Sequence, residues 1–69
     1  MDTTKQVKTA ATYAGISQAD LARRIGTSPQ AFNQRLTRDA LRPADLEKIA
    51  AALGAEYISL FRFPDGKEI

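Results

Sequence analysis

The sequence predicts a mainly all-α fold, a compact four- to five-helix domain centred on a helix-turn-helix and closed by a short C-terminal β-hairpin. Three observations predict it. Residues Ile16 to Leu36, ISQADLARRIGTSPQAFNQRL, hold two helix-start signals with a single glycine between them. The stretch from Pro43 to Gly54 repeats apolar residues at helical spacing, as a core-facing helix does. Tyr57 to Phe63 is rich in aromatics and partly alternates, and Pro64-Asp65-Gly66 after it reads as a tight turn.

The first helix is expected from about Thr4 to Ala14, with Val7, Ala10, Ala11 and Ala14 on a thin, alanine-rich inner face and Gly15 as its stop. Ser17 caps a second helix over Gln18 to Ile25. Asp20 completes a capping box there, and Ile16 with Leu21 occupies the positions of a hydrophobic staple. Leu21, Ala22 and Ile25 face inward, and Arg23 and Arg24 face solvent. Gly26 is the residue that most readily takes positive φ after a helix end, and Ser28-Pro29 restarts the chain with a cap followed by proline at the first helical position. So short a turn forces the two helices to cross steeply and leaves the second presented on the surface.

Helix three is expected from Pro29 to about Arg38. With Phe32 at zero and ~100° per residue, Leu36 falls at ~40° and Pro29 at ~60°, whereas Gln30 falls at ~160°, Gln34 at ~200°, Thr37 at ~140° and Arg38 at ~240°. The outward stripe is therefore amide, hydroxyl and guanidinium. Helix four starts at Pro43, buries Leu46, Ile49, Ala50 and Leu53, and ends at Gly54. Beyond it a hairpin is expected around Pro64 to Gly66, leading into Lys67, Glu68 and Ile69; the competing picture is a short fifth helix over 57–61 with Leu60 and Phe61 packed on helix four. Residues 1–69 are read as one domain, with the helix-turn-helix unit at 17–38 and the hairpin or short helix at 57–69.

Composition excludes much. The chain has 69 residues, no cysteine and no histidine, so it offers no disulfide, thiol nucleophile, imidazole base or usual zinc ligand. No enzyme activity, metal, cofactor or small-molecule ligand is expected, and Asp45 and Glu47 sit in a helix N-terminal turn where they complement the dipole. The N-terminus MDTTKQVKTA lacks a signal-peptide hydrophobic region and no apolar run approaches the ~18 residues that span a bilayer, so a cytoplasmic protein without membrane contact is expected. Net charge is +2, but between Asp20 and Arg42 five arginines (Arg23, Arg24, Arg35, Arg38, Arg42) face Asp20 and Asp39, five minus two giving +3. From Pro43 onward Lys48, Arg62 and Lys67 face Asp45, Glu47, Glu56, Asp65 and Glu68, three minus five giving −2. A polyanion ligand favours that asymmetry, although an ordinary solvated face also produces it.

The string SQADLARRIG followed by TSPQAFNQRL, and then LEKIAAALG after a short loop, resembles the Cro and phage-repressor type of helix-turn-helix domain, also called XRE-type or lambda-repressor-like. The resemblance spans roughly Ile16 to Gly54, and the first helix fits by position. It matches the family's small residue to Ala22, the turn glycine to Gly26, and the locking apolar positions to Leu21, Ile25 and Phe32. One position departs from the pattern: three residues after Phe32 the family usually has another apolar residue, and here Arg35 stands there with Leu36 beside it. If Leu36 fills the core instead, the far end of helix three is redefined, which bears on Arg35, Thr37 and Arg38.

The resemblance implies a transcription regulator, most simply a repressor, that binds double-stranded DNA. Physical chemistry points the same way, because a helix fits the ~12 Å major groove and a glutamine amide offers a donor and an acceptor that match adenine N6 and N7. Gln30, Asn33, Gln34 and Arg38 are the candidate base contacts, and Gln18, Ser28, Arg35 and Thr37 the candidate backbone contacts. Each also has a plain structural role: Gln30 and Gln34 are common solvent-facing helix residues, Gln18 suits an N-terminal turn, and Ser28 is a cap. A homodimer joined through the C-terminal segment, with Tyr57, Phe61 and Phe63, is expected because so small a domain leaves a strand edge unpaired. The alternative of another class is a protein-interaction module, antitoxin-like or an assembly partner, that keeps the fold without strong DNA binding.

Overall fold

A computed structural model describes residues 2–69. Its elements in chain order are helices α1 (Thr3–Ala14), α2 (Gln18–Arg24), α3 (Pro29–Thr37) and α4 (Pro43–Ala52), then strands β1 (Glu56–Tyr57) and β2 (Phe61–Arg62).

Short side chains set most helix starts. The Asp2 carboxylate accepts from the Lys5 N–H at 2.8 Å, which moves the start of α1 one residue ahead of the expected Thr4. Ser17 and Ser28 each accept from the N–H three residues on, Asp20 and Ala31 respectively, at 3.1 Å. In both cases a hydroxyl satisfies an amide that the helix itself leaves without a partner. The capping box at α2 is only half realised. The Asp20 carboxylate turns to the Arg24 guanidinium at 3.2 Å, an i,i+4 pair on the exposed face, instead of reaching back to Ser17. At α4 the reciprocal contact does form, with Asp45 accepting from the Arg42 N–H at 3.0 Å.

Gly26 sits at φ 82° between α2 and α3. Its own N–H donates to the Arg23 carbonyl at 3.1 Å and that of Thr27 to the Ala22 carbonyl at 3.0 Å, the paired bonds of a Schellman stop. A Cβ placed on Gly26 would meet nothing within 4 Å, so the requirement for glycine is the left-handed backbone and not space.

The core joins every element. Val7, Ala10 and Ala11 of α1, Leu21 and Ala22 of α2, Phe32 and Leu36 of α3, and Leu46, Ile49, Ala50 and Leu53 at α4 are buried together with Phe61 and Phe63. Phe63 adds volume beside the alanine-rich α1, its ring 4.7 Å from that of Tyr13.

The C-terminal segment is sheet, with no fifth helix. It differs from one continuous strand over 57–63, because the chain reverses within that run: β1 and β2 are antiparallel with Glu56 opposite Arg62 and Tyr57 opposite Phe61, and Ser59 takes φ 77° in the turn between them. The expected hairpin about Pro64-Asp65-Gly66 follows, bringing Glu68 opposite Arg62. Phe61 and Ile69 exchange backbone hydrogen bonds at 2.8 and 2.9 Å, so β2 is paired on both sides. Phe61 is 0% exposed and Phe63 7%, packed within their own chain. The assignment of these two aromatic side chains to a dimer face is thereby corrected; of the three residues named for it, only Tyr57 is partly exposed.

Candidate nucleic-acid interface

The presented helix is α3, and it is fixed from behind. Phe32 and Leu36, one turn apart, are 1% and 2% exposed and lock its inner face. Gln30, Asn33 and Gln34 are all exposed along its outer face, and Thr37 and the C-capping Arg38 extend the exposed surface to its end. Leu36 therefore takes the core position and Arg35 does not.

Arg35 is half-buried and its guanidinium lies 3.6 Å from Asp45 on α4, so its charge is shared across the α3 to α4 junction. Asp45 holds two jobs at once, capping its own helix and pairing with Arg35. Sequence reasoning gave it only the dipole role. Among the backbone candidates, Gln18 is half-buried in the first turn of α2, while Ser28 and Thr37 are exposed. The Ser28 oxygen is engaged as a cap, which leaves its hydroxyl hydrogen to donate.

The arrangement also gathers residues that reading along the chain kept apart. Arg42 shares a surface hollow with Arg35, Ala40 and Asp45 at the junction. Lys5 and Lys8 of α1 line a second hollow with Thr4, Leu36 and Thr37, together with Asp2 and Asp39, at the far end of α3. The signal for Arg42 was present in the basic run up to the Arg-Pro start of α4. No sequence signal placed Lys5 and Lys8 beside Thr37, because that proximity is made by the packing of α1.

The pairing of charges sharpens the asymmetry seen in the sequence. Among the described residues the ion pairs are Arg24 with Asp20, Arg35 with Asp45, and Arg62 with Glu56 and Glu68. Arg23, Arg38 and Arg42 on the helix-turn-helix side enter none of them, whereas the one arginine of the sheet is clasped by two carboxylates. Hydrogen bonding and attraction to Glu56 raise the Arg62 pKa further above its ordinary value.

The polar groups at the opposite corner are likewise engaged with one another. The Tyr13 hydroxyl of α1 donates to Asp65 in the terminal turn, and the Tyr13 ring lies 4.7 Å from that of Phe63. That hydrogen bond raises the Tyr13 pKa and lowers that of Asp65, which also accepts from the Lys67 N–H at 2.9 Å.

Residues 12–38 match the family model of winged helix-turn-helix DNA-binding domains, a stretch that takes in the end of α1 and the whole of α2 and α3. The sheet lies outside that stretch and follows α4. No curated protein matches the chain, and no solved structure does. Among the described residues, no helix is long and apolar enough to cross a membrane. What α2, the Gly26 turn and α3 form is a helix-turn-helix similar to those of DNA-binding domains.

Proposed function

We propose that the protein is a sequence-specific, double-stranded-DNA-binding transcription regulator of the Cro and phage-repressor type, most simply a repressor, acting in the cytoplasm. The observation that carries this reading is the outer face of α3, where Gln30, Asn33 and Gln34 are exposed while Phe32 and Leu36 anchor the helix from within. A rod presented in this way enters the major groove with its amides toward base edges. Gln18, Ser28 and Thr37 then face phosphate, joined by Arg38, which is also within reach of a base, and by Arg42. Arg35 takes part through the charge that Asp45 leaves uncompensated.

A homodimer reads two half-sites about one helical turn apart. Because Phe61 and Phe63 are internal, a two-fold contact at the terminal sheet has the backbone edge and Tyr57 to work with, and solution mass at high concentration tests it.

The experiment for the main reading is selection of bound fragments from random duplex DNA, followed by a salt titration on the winner. A recurring motif and a steep fall of affinity with salt are expected, since each phosphate neutralised contributes ~0.9 to the logarithmic slope. Recovery of random sequence with a salt-indifferent background overturns the reading and leaves the interaction module in its place.

A further inference from the structure

The far end of α3 is tied down by a residue from the other end of the chain, and we propose that this residue, Thr4, is a positioning residue for DNA recognition: it sets the angle at which α3 presents Gln30 and Gln34. The proposal rests on the DNA-binding reading of α3 and deepens it.

The Thr4 hydroxyl donates to the Leu36 carbonyl at 2.8 Å across 32 positions of sequence, in a partly buried setting. A helix leaves its last carbonyls without internal partners, so whatever satisfies them also fixes where the last turn points. At α3 the neighbouring bonds are a Schellman pair, Ala40 N–H to the Arg35 carbonyl at 2.8 Å and Asp39 N–H to the Leu36 carbonyl at 3.2 Å. That stop places Asp39 at φ 51°, a left-handed conformation unfavourable for a residue with a Cβ. The Leu36 carbonyl thus accepts twice, and its shorter bond is the one from α1.

The geometry explains how this bond bears on orientation. The N-terminal end of α3 is joined to α2 by the short turn at Gly26, and its middle is anchored by the burial of Phe32. Burial of Leu36 resists translation of the far end, but an apolar contact is non-directional and lets the helix roll. The Arg35–Asp45 pair ties this end toward α4 through a flexible side chain at 3.6 Å; the shorter, directional bond to the backbone from α1 restricts the roll more tightly. A small roll or tilt displaces amides that must meet base edges within hydrogen-bonding distance, while flexible cations still find phosphate. Loss of the Thr4 bond should therefore reduce discrimination between sequences more than it reduces binding to any sequence.

The test compares the wild-type protein with Thr4→Val, which keeps the branched shape and loses the donor, and Thr4→Ser, which restores the donor. Two readouts are taken: the α1 to α3 orientation from residual dipolar couplings of the free protein, and the ratio of affinities for the selected site and for random duplex. Thr4→Val is expected to alter the couplings of α3 and to lower the ratio about tenfold, the scale of one impaired bidentate base contact, with the salt slope on random DNA unchanged. Thr4→Ser is expected to recover both. Should Thr4→Val lose thermal stability yet keep wild-type couplings and an unchanged ratio, Thr4 is a structural bond only and the inference fails. Should Thr4→Val fail to fold, Thr4→Ser and Thr4→Ala decide by the same readouts: wild-type values in both variants overturn the proposal. A wild-type protein indifferent to DNA sequence sinks the reading beneath it, and the couplings then decide separately whether Thr4 orients α3.

Discussion

The outer face of α3 and the corner formed by α1 with the terminal sheet both meet solvent but treat their polar side chains in opposite ways. At the corner, Tyr13 meets Asp65, Gln6 donates to the Ser59 carbonyl at 3.1 Å, and Arg62 lies between Glu56 and Glu68. On α3 the amides of Gln30, Asn33 and Gln34 point away from the body of the protein, and Arg38 enters no ion pair among the described residues. Where polar groups satisfy each other they fasten a small sheet to a thin helix. Where they are left to water they remain available to a ligand whose own donors and acceptors can replace that water. The two regions share one core, in which Phe61 and Phe63 are buried with Phe32 and Leu36.

The hardest blow to the comparison should fall on the sheet. Phe61→Ala removes a side chain that is 0% exposed and is expected to cost about 3 to 5 kcal/mol in chemical denaturation. A loss well under 1 kcal/mol would mean that the sheet is an ornament and the helices fold without it.

On the other region the effect should be functional. Gln34→Ala is expected to leave stability within about 0.5 kcal/mol of wild type and to relax base preference at one position per half-site by ~1 to 3 kcal/mol. An identical selected motif would remove Gln34 from recognition.

Asp45→Asn probes the boundary between a satisfied and an available charge. Weakening the pair with Arg35 is expected to cost up to about 1 kcal/mol of stability while tightening binding to random DNA at low salt, because Arg35 then offers its whole charge to phosphate. Weaker binding at low salt would show that Arg35 needs Asp45 to hold it in place.

The smallest effect is a pH dependence. The Tyr13 to Asp65 bond is strongest with an ionised Asp65 and a protonated Tyr13. Asp65 has a lowered pKa, so its share of stability is present above the ordinary Asp value of about 3.9 and is lost as pH falls through the lower folded value. Tyr13 has a raised pKa, so its share is present below about 10 and is lost as pH rises through the higher folded value. The stability difference between wild type and Tyr13→Phe is therefore expected to be flat between about pH 4 and 10 and to shrink on both sides; a difference independent of pH across thermal melts would refute the linkage.

The helix-turn-helix was legible because its determinants are local. Ser17 and Ser28 cap amides three residues on, Gly26 supplies its own φ, and the spacing of Phe32 and Leu36 names the inner face of α3 without reference to the rest of the chain. The same locality gave the outward stripe from Gln30 to Arg38. Reading failed where the deciding partner was distant or where two local rules competed. Asp20 had both Ser17 and Arg24 within reach, and the guanidinium took it. Tyr57 to Phe63 alternates enough to suggest one strand, but the chain turns at Ser59 so that Phe61 can enter the core.

By itself the sequence determined where α2, α3 and α4 begin, which side of each helix is apolar, and that positive charge gathers on the two-helix unit, since these follow from chemistry acting over three or four residues. Tertiary structure alone decided that Asp45 would claim Arg35, that Tyr13 would find Asp65, and that Thr4 would close the end of α3. The physical reason is that such bonds have no local driving force: they form only once burial of the shared apolar residues has brought together groups that are as much as 53 positions apart.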